Sequence, residues 1–393
     1  MRLLIKNIGA LEGGESAEWL LCDGGLISAM GSGEPPAAER ELDARGALVT
    51  PGLIDCHTHM AFGGWRQREI PMKIGGAGYL DILAAGGGIL DTVRHTRALS
   101  ESELLERTRG FAREMLAQGV TTVEGKSGYG LDTETELRQL AVMHRLGEET
   151  PLETAVTFMG AHAVPPEYAG RADDYVDFLC GELLPAVREQ GYAEFCDVFC
   201  ETGVFDVPQS RRVLERAREL GFRLKIHADE IDAIGGAQLA GELGAISAEH
   251  LIATDERGME ALAAGGVTAV LLPSTSLYLG KSFARARDMA ERGVRVAVAT
   301  DFNPGSCPSL NIQLCIMLAC QRYRLFPREV LAAVTENAAA AIGREGRIGR
   351  LAPGMQADIV IWNAPDIDTL CYRFGSNLAK TVIKKGEIVH EAD

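Results

Sequence analysis

The sequence has no run of about 18 apolar residues, so no membrane-spanning helix is expected. Its first residues, MRLLIKNIGALEGGES, lack a long apolar stretch and a small-residue cleavage site, and are not expected to act as a signal peptide. Pairs of cysteines in a CxxC pattern are also missing. The nine cysteines are scattered and odd in number, which favours reduced thiols in a cytosol over a disulfide framework. We therefore expect a cytoplasmic protein without a membrane partner.

Positive charge is scarce as well. The 393 residues contain 39 lysines and arginines against 55 aspartates and glutamates, which gives a formal net charge of −16. A chain this acidic repels phosphate backbones, so we expect no nucleic-acid partner. Hydrophobic residues make up 46% and charged residues 24%, a globular composition that excludes the disordered and fibrous classes. The length favours one large domain with a smaller one.

The two ends of the chain share one pattern. Short apolar runs alternate with glycine-rich turns at Leu3–Ile5, Trp19–Cys22, Leu26–Met30, Ala357–Trp362 and Lys380–Val389. This pattern is typical of small antiparallel strands and hairpins. Neither end has enough apolar residues for a core of its own. We therefore predict that residues 1–46 and 351–393 form one small β-sandwich domain, which brackets the middle of the chain.

Residues 47–350 alternate between short apolar runs and longer amphipathic helical segments. The eight runs are Ala47–Cys56, Thr121–Glu124, Thr154–Met159, Phe195–Cys200, Arg223–His227, Ile246–His250, Thr268–Leu272 and Arg295–Thr300. Such alternation implies parallel pairing through crossovers, and eight units in this length predict a (β/α)8 TIM barrel. A doubly wound open sheet is the alternative, but it usually has a glycine-rich phosphate-binding turn after its first strand. The first run here leads into DCHTH instead.

Five of the eight histidines lie at or just after the ends of these runs. They are His57, His59, His162, His227 and His250, and Asp301 follows the eighth run. The catalytic groups of a barrel come from the C-terminal ends of its strands. We therefore expect these side chains to converge on one site.

His57 and His59 have the spacing of a metal site. Residues two apart on an extended strand point to the same side, so both imidazoles can reach one ion. With His227 and Asp301 they offer three nitrogens and one carboxylate, a set that suits zinc or iron and leaves a position for water. Such an ion lowers the pKa of bound water towards about 7 and so supplies a nucleophile at neutral pH.

Several segments resemble a known family. PGLIDCHTH, KIHADE, ATDFNPGS and IGRLAPGMQADIVIW resemble the amidohydrolase superfamily of metal-dependent hydrolases. More narrowly, FGGWRQRE, YLDILAAGGGIL, EGKSGYGLDTETELRQL, TFMGAHAVPPEY, LKIHADEID and LLPSTSLYLGK resemble the imidazolonepropionases, which open an imidazolone ring in histidine degradation. The likeness covers nearly the whole chain. KSGYG, MGAHAVPPEY and HADEID together are its specific part, whereas HxH is common to the superfamily.

The resemblance implies metal-dependent hydrolysis of the cyclic amide C–N bond of 4-imidazolone-5-propanoate to N-formimino-L-glutamate. It implies that one Zn²⁺ or Fe³⁺ per subunit is bound by His57, His59, His227 and Asp301. Some relatives bridge two metals with a carboxylated lysine at the end of the fourth strand. That strand here ends in FCE without a lysine, so we expect a single ion, with Lys126 as a supporting residue. The resemblance also implies a homodimer.

The resemblance further implies how a small anionic imidazolone is held and attacked. The substrate-contacting positions are Arg66, Tyr129, His162, Glu230, Asn303, Gly305 and Ser306. Arg66 would bind the propionate, since a guanidinium can hold a carboxylate in two parallel bonds. Glu230, His250 and Asp301 would be the catalytic residues, with Glu230 as proton shuttle and His250 polarising the carbonyl or assisting the water. The sequence alone does not decide which of Glu230 and His250 has which of these two roles.

Two other readings of the same chain stay open. The first is another cyclic-amide hydrolase, or a deaminase of aromatic rings, on the same barrel, since both reactions use the same metal and proton shuttle. The second is an inactive barrel that serves as a binding protein. Such a protein would usually lack metal ligands, whereas this sequence keeps every metal position and both candidate proton-transfer residues.

Overall fold

The computed structural model describes residues 2–76 and 85–392, so the first six residues of the YLDILAAGGGIL segment lie outside the described residues. Near the N-terminus the strands are β1 (Leu3–Lys6), β2 (Ala10–Leu11), β3 (Trp19–Asp23), β4 (Leu26–Gly31), β5 (Arg40–Asp43) and β6 (Leu48–Pro51). The middle has β7 (Leu53–Thr58), β8 (Val120–Lys126), β9 (Glu153–Ala161), β10 (Phe195–Cys200), β11 (Arg223–Ala228), β12 (Ser247–His250), β13 (Thr268–Leu271) and β14 (Val296–Val298). The last strands are β15 (Ile359–Trp362), β16 (Ala379–Lys384) and β17 (Glu387–Glu391).

Helices follow the middle strands and cover them from outside. Their bounds are Ile70–Ile74, Ile89–Ala98, Glu101–Ala117, Thr133–Glu149, Ala172–Phe178, Leu184–Gln190, Val207–Glu219, Gly236–Leu243, Glu256–Gly265, Pro273–Leu279, Ala286–Glu291, Ile312–Tyr323, Pro327–Ala333, Glu336–Ala341 and Ile367–Tyr372. Local sequence explains their starts. Ser100 and Asp206, for example, each accept a backbone N–H of the first turn and form a capping box.

Strands β7 to β14 form one eight-stranded sheet in chain order, with every neighbouring pair parallel. The sheet closes where β7 meets the segment after β14. The Asp301 N–H donates to the His57 carbonyl at 3.0 Å, and the His59 N–H donates to the Phe302 carbonyl at 2.9 Å. The predicted (β/α)8 barrel is confirmed, and its closure brings the HxH pair beside Asp301.

A buried carboxylate fixes this closure. Both oxygens of Asp55 accept from Thr300, at 3.1 Å from the backbone N–H and at 2.6 Å from the hydroxyl. Asp55 is two residues before His57, and Thr300 is directly before Asp301. The bond between them therefore sets the distance between two of the predicted metal ligands.

The two ends of the chain form two facing sheets, as expected. One sheet has the order β4-β3-β1-β5 and the other β17-β16-β15-β6-β2, so the second mixes strands from both termini. Their inner faces share one core, which includes Leu3, Ile5, Leu20, Ile27, Val49, Ile359, Ile361 and Ile383. The apolar residues of both ends are needed to complete this core.

The predicted first run, Ala47–Cys56, is wrong as a single strand. Its first half is β6, which pairs with β15 in the small sheets, and its second half is β7 of the barrel. The chain passes between them at Pro51 and Gly52. Gly52 fits because an added Cβ would lie 2.3 Å from the Thr121 hydroxyl. The domain bounds at 46 and 350 stay predictions, and this crossing lies close to the first of them.

Among the described residues, no helix has both the length and the apolar content needed to cross a membrane.

An ionic group joins the small sheets to the start of the barrel strands, away from the His-bearing ends. Glu153 of β9 contacts Arg347, and one of its oxygens lies 3.1 Å from the Lys384 ammonium of β16. Burial alone would raise the pKa of Glu153, but bonding from Arg347 and the charge of Lys384 outweigh it and lower the pKa to about 2. The ionised carboxylate is therefore favoured by folding.

We expect Glu153→Gln to lower the free energy of unfolding by roughly 2–3 kcal/mol at pH 7, because a pKa depressed by a few units carries about 1.4 kcal/mol per unit. This stabilisation is complete above the unfolded-state pKa of 4.5 and is lost as the pH falls towards about 2. Urea unfolding at pH 7 and at pH 4 measures it. A difference from wild type that stays constant over this range would contradict the assignment.

Candidate metal centre and active site

The site lies at the C-terminal ends of the barrel strands, where two side chains are presented from a left-handed backbone. His250 has φ 70° and Asp301 has φ 58°. Non-glycine residues adopt this region at a cost and are enriched at functional sites. Here it is adopted by the last residue of β12 and by a residue shortly after β14, and both side chains lie beside His57.

The four predicted ligands meet in this space. The Asp301 Oδ1 atom lies 3.5 Å from His57 Nε2 and 3.9 Å from His59 Nε2. The rings of His57 and His227 have centroids 4.6 Å apart. All four side chains are buried. His57, His59 and Asp301 form one cluster with the spacing of a metal site, and His57, His227 and His250 form a second that overlaps it.

The nitrogens of these rings fit a cation. Both ring nitrogens of His57 and Nε2 of His227 are buried and have no hydrogen-bond partner among the described residues. An unsatisfied buried polar group costs about 1–3 kcal/mol. Burial lowers the pKa of His57 and of His59 well below its usual range, so these imidazoles are neutral and offer lone pairs. A zinc or iron ion would satisfy one nitrogen of each ring, which supports metal binding.

Asp301 is oriented by its own partners. The Thr275 hydroxyl donates to Oδ2 at 2.7 Å, and this leaves Oδ1 facing the histidines. Burial raises the pKa of Asp301 to about 6, so a nearby cation would favour its ionised form. Thr275 is a supporting residue that sequence reasoning missed.

Five charged side chains lie fully buried in the barrel axis beneath the histidines. This axial ionic cluster consists of Glu124, Lys126, Asp197, Lys225 and Glu249, each with no exposed side-chain surface. The Lys126 ammonium lies 2.7 Å from Asp197 and 3.0 Å from Glu124. The Lys225 ammonium lies 3.1 Å from Glu124 and 3.7 Å from Glu249. Each charge has an opposite partner, as burial requires.

The cluster contacts the predicted metal site through His227. Asp197 Oδ2 lies 3.0 Å from His227 Nδ1, and Asp197 Oδ1 accepts the His227 backbone N–H at 3.2 Å. With Nδ1 facing this carboxylate, Nε2 is directed at the other histidines. A carboxylate behind a ligating imidazole fixes its orientation and raises its basicity. The carboxylates also raise the pKa of Lys126 against the opposing effect of burial, which keeps it an ammonium and supports the expectation that it is not carboxylated.

Tyr129 and His162 lie beside the predicted ligands, where the resemblance places them. The ring of His162 stacks on that of His59 with centroids 4.8 Å apart, and the Tyr129 ring is 5.8 Å from His59. Burial lowers the pKa of His162 to about 3, so its ring is neutral. Its Nδ1 lies 3.1 Å from the Gly128 carbonyl, which only accepts. Nδ1 therefore carries the hydrogen, and Nε2 is left as an acceptor.

Arg66 approaches the loop that follows Asp301. Its guanidinium lies where a Cβ on Gly305 would be, 2.0 Å from that position. Its Nε donates to Glu69 at 2.8 Å, and one terminal nitrogen donates to the other Glu69 oxygen at 2.9 Å. Asn303 shapes the loop, since its side-chain oxygen accepts the N–H groups of Gly305 and Ser306, each at 2.8 Å. Glu69 is a further residue that sequence reasoning missed.

Glu230 lies between two basic groups. One oxygen is 3.2 Å from the Lys281 ammonium, and the other is 3.7 Å from His250 Nε2. Burial would raise the pKa of Glu230, but the charges of His250 and Lys281 outweigh it and lower the pKa. Lys281 was not singled out from the sequence, although it ends the LLPSTSLYLGK segment.

Comparison with known proteins decides the family. A model of the amidohydrolase family matches residues 48–389. The imidazolonepropionase of Alkaliphilus metalliredigens (strain QYMF) is 52% identical over 379 residues, which cover 94% of this chain and 90% of that protein. The imidazolonepropionase of Bacillus velezensis is 51% identical over 94% of this chain and 88% of its own length. The chain belongs to the imidazolonepropionases of the amidohydrolase family.

The fold of this amidohydrolase is shared with distant solved structures. The 5-methylcytosine deaminase from Klebsiella pneumoniae, liganded with phosphonocytosine, superposes with a TM-score of 0.77, covering 100% of this chain and 98% of that chain at 16% identity. The family predicted from the motifs is thus confirmed. The structure brings all the predicted site residues to one end of the barrel, and their individual roles stay predictions.

We expect Asp197→Asn to weaken metal binding by about 10–100-fold, because the amide keeps the shape of the side chain but removes the charge behind His227. Competition with a chelator, followed by elemental analysis of the retained metal, measures the change.

His227→Ala removes a predicted ligand and should retain no metal. It serves as the reference for complete loss of metal binding. Asp177→Asn is the matched control, since Asp177 forms an exposed ion pair with Arg212. Wild-type metal affinity in a folded Asp197→Asn variant would contradict the positioning role of Asp197.

Proposed function

We propose that this amidohydrolase hydrolyses the cyclic amide C–N bond of 4-imidazolone-5-propanoate and releases N-formimino-L-glutamate, a step of histidine degradation. The observation that carries the proposal is the position of Arg66 over Gly305, in the loop that begins at Asp301. It provides a positive charge beside the predicted metal site in a chain of net charge −16. A small ring with a carboxylate tail requires such a local charge. The 52% identity with a curated imidazolonepropionase supports the same substrate.

Within the described part of the chain, one edge of the guanidinium has no hydrogen-bond partner and is available for the propionate. Glu69 takes the edge formed by Nε and one terminal nitrogen, and the edge between the two terminal nitrogens remains. That edge can hold a carboxylate in two parallel bonds. Lys73 lies 3.3 Å from Glu69, so Arg66, Glu69 and Lys73 together keep one net positive charge.

The ring is placed by the residues around the histidines. His162 would accept a ring N–H at its free Nε2, while Tyr129, Asn303 and Ser306 line the remaining sides. When bound by His57, His59, His227 and Asp301, a Zn²⁺ or Fe³⁺ ion would activate water and polarise the ring carbonyl.

Glu230 and His250 would move the protons. Glu230 takes a proton from the attacking water while the water oxygen bonds to the carbonyl carbon. Glu230 then returns the proton to the ring nitrogen as the C–N bond breaks, so no net proton is gained or lost by the protein. His250 donates a hydrogen bond to the carbonyl oxygen. The ionised state of Glu230 supports this assignment, and the exchanged roles remain the alternative.

We further propose that the ion is zinc or iron, that the enzyme works in the cytoplasm and that it forms a homodimer. Three imidazoles and a carboxylate accept either metal. All nine cysteines are free thiols, as suits a reducing compartment. The dimer rests on the family resemblance alone, and light scattering on the purified protein tests it.

Loss of ultraviolet absorbance from imidazolone propionate tests the function directly. The purified enzyme should open the ring, a strong chelator should abolish the reaction, and added zinc or iron should restore it. Ammonia release from guanine or cytosine without turnover of imidazolone propionate would identify a deaminase and contradict the proposal.

We expect Gly305→Ala to raise KM for imidazolone propionate by about tenfold with a smaller change in kcat, because the new methyl group would displace the guanidinium from the substrate tail. Arg66→Ala should raise KM by about 10–100-fold, since a charged hydrogen bond is worth about 1.5–3 kcal/mol. Steady-state kinetics measures both.

Gly110→Ala is the matched control, because an added Cβ at Gly110 meets no atom within 4 Å. If Arg66→Ala left kcat/KM unchanged, Arg66 would not bind the propionate.

A further inference from the structure

Lys281 enters the site from a sharply defined helix end. The helix Pro273–Leu279 stops at Gly280, whose φ is 64°. The Gly280 N–H donates to the Leu277 carbonyl at 3.2 Å, and the Lys281 N–H donates to the Ser276 carbonyl at 2.9 Å. These two bonds form a Schellman motif, which fixes the backbone of Lys281 relative to the helix.

The lysine contacts a carboxylate that is mostly withdrawn from solvent. The Glu230 side chain is 13% exposed and that of Lys281 is 34% exposed, with 3.2 Å between the ammonium and Oε1. Fully exposed ion pairs contribute little because water competes with them. Because the Glu230 carboxylate is largely buried, water competes less for it, and its contact with Lys281 has a larger effect on the orientation of the carboxylate.

The two carboxylate oxygens of Glu230 have different partners. Oε1 is occupied by Lys281, whereas Oε2 lies 3.7 Å from His250 Nε2, on the side of the predicted metal ligands. Without the lysine, the carboxylate could rotate about its last torsion, which is broad. We propose that Lys281 is a positioning residue that holds Glu230 with one oxygen directed at His250 and the reacting atoms. This inference rests on the proposed function.

The same helix also holds a predicted metal ligand. Thr275, in its first turn, donates to Asp301 at 2.7 Å. The helix Pro273–Leu279 and the residue after its cap therefore contact both Asp301 and Glu230. One rigid element sets the position of the carboxylate that binds the ion relative to the carboxylate that moves the proton.

A double-mutant cycle tests the inference. Lys281→Met should lower kcat on imidazolone propionate by about tenfold with KM within about twofold, as expected when a general base is misplaced. Lys281→Arg should recover most of the rate. In the Glu230→Gln background, Lys281→Met should have no further effect, because it acts through Glu230.

Lys6→Met is the control, since Lys6 forms an ion pair with Glu41 in the small sheets. A crystal structure of the Lys281→Met variant is a second test that does not depend on activity. In this variant, the Glu230 side chain should have left its position beside His250. Additive effects with a raised KM would mean that Lys281 contacts the substrate itself. Additive effects, an unmoved Glu230, or full activity of Glu230→Gln would each overturn the inference. A wild-type enzyme inactive on imidazolone propionate would overturn only the proposed function, and the crystal structure would still decide about Lys281.

Discussion

The axial ionic cluster is the constraint on which the arrangement of the site depends. Two lysines and three carboxylates are fully buried between four barrel strands, and each lysine lies within 4 Å of at least two of the carboxylates. Removal of either lysine would therefore leave buried carboxylates without enough positive charge. Asp197 ties this cluster to His227 by both the ring and the backbone N–H. The interior of the barrel is therefore polar, and through Asp197 it fixes the orientation of His227, one of the predicted metal ligands.

The two ends of the barrel strands make different contacts. At the start of the strands, Glu153 and Lys384 join the barrel to the small sheets that both chain ends build. At the other end, Asp55 and Thr300 close the barrel and bring the HxH pair to Asp301. The predicted site residues lie at this second end, and loops such as Asn303–Ser306 can be shaped for the substrate without disturbing the core.

Much of this could be predicted from the sequence, because local periodicity marks the strands and histidines mark their ends. The first run was misread because a continuous apolar stretch does not show that the chain changes sheets at Pro51 and Gly52. The axial ionic cluster was missed as a whole because four strands contribute to it, although Lys126 was expected to be a supporting residue. Strand β8 supplies Glu124 and Lys126, whereas the other three members come one each from β10, β11 and β12 and look isolated in the sequence. Glu69 and Lys281 depend on how loops and helix ends orient long side chains. No spacing rule records that, although both lie in segments that resemble the family.

The central claim is that one ion is held by three histidines and Asp301 above the axial ionic cluster. Anomalous diffraction at the zinc and iron edges, on crystals of protein purified without added metal, tests it most directly. The account predicts a single peak per chain within about 2.0–2.2 Å of Nε2 of His57, His59 and His227 and of Asp301 Oδ1. Two peaks would contradict it, and so would one peak at Asp197, His227 and Glu249, a third group of buried side chains close enough together to hold an ion.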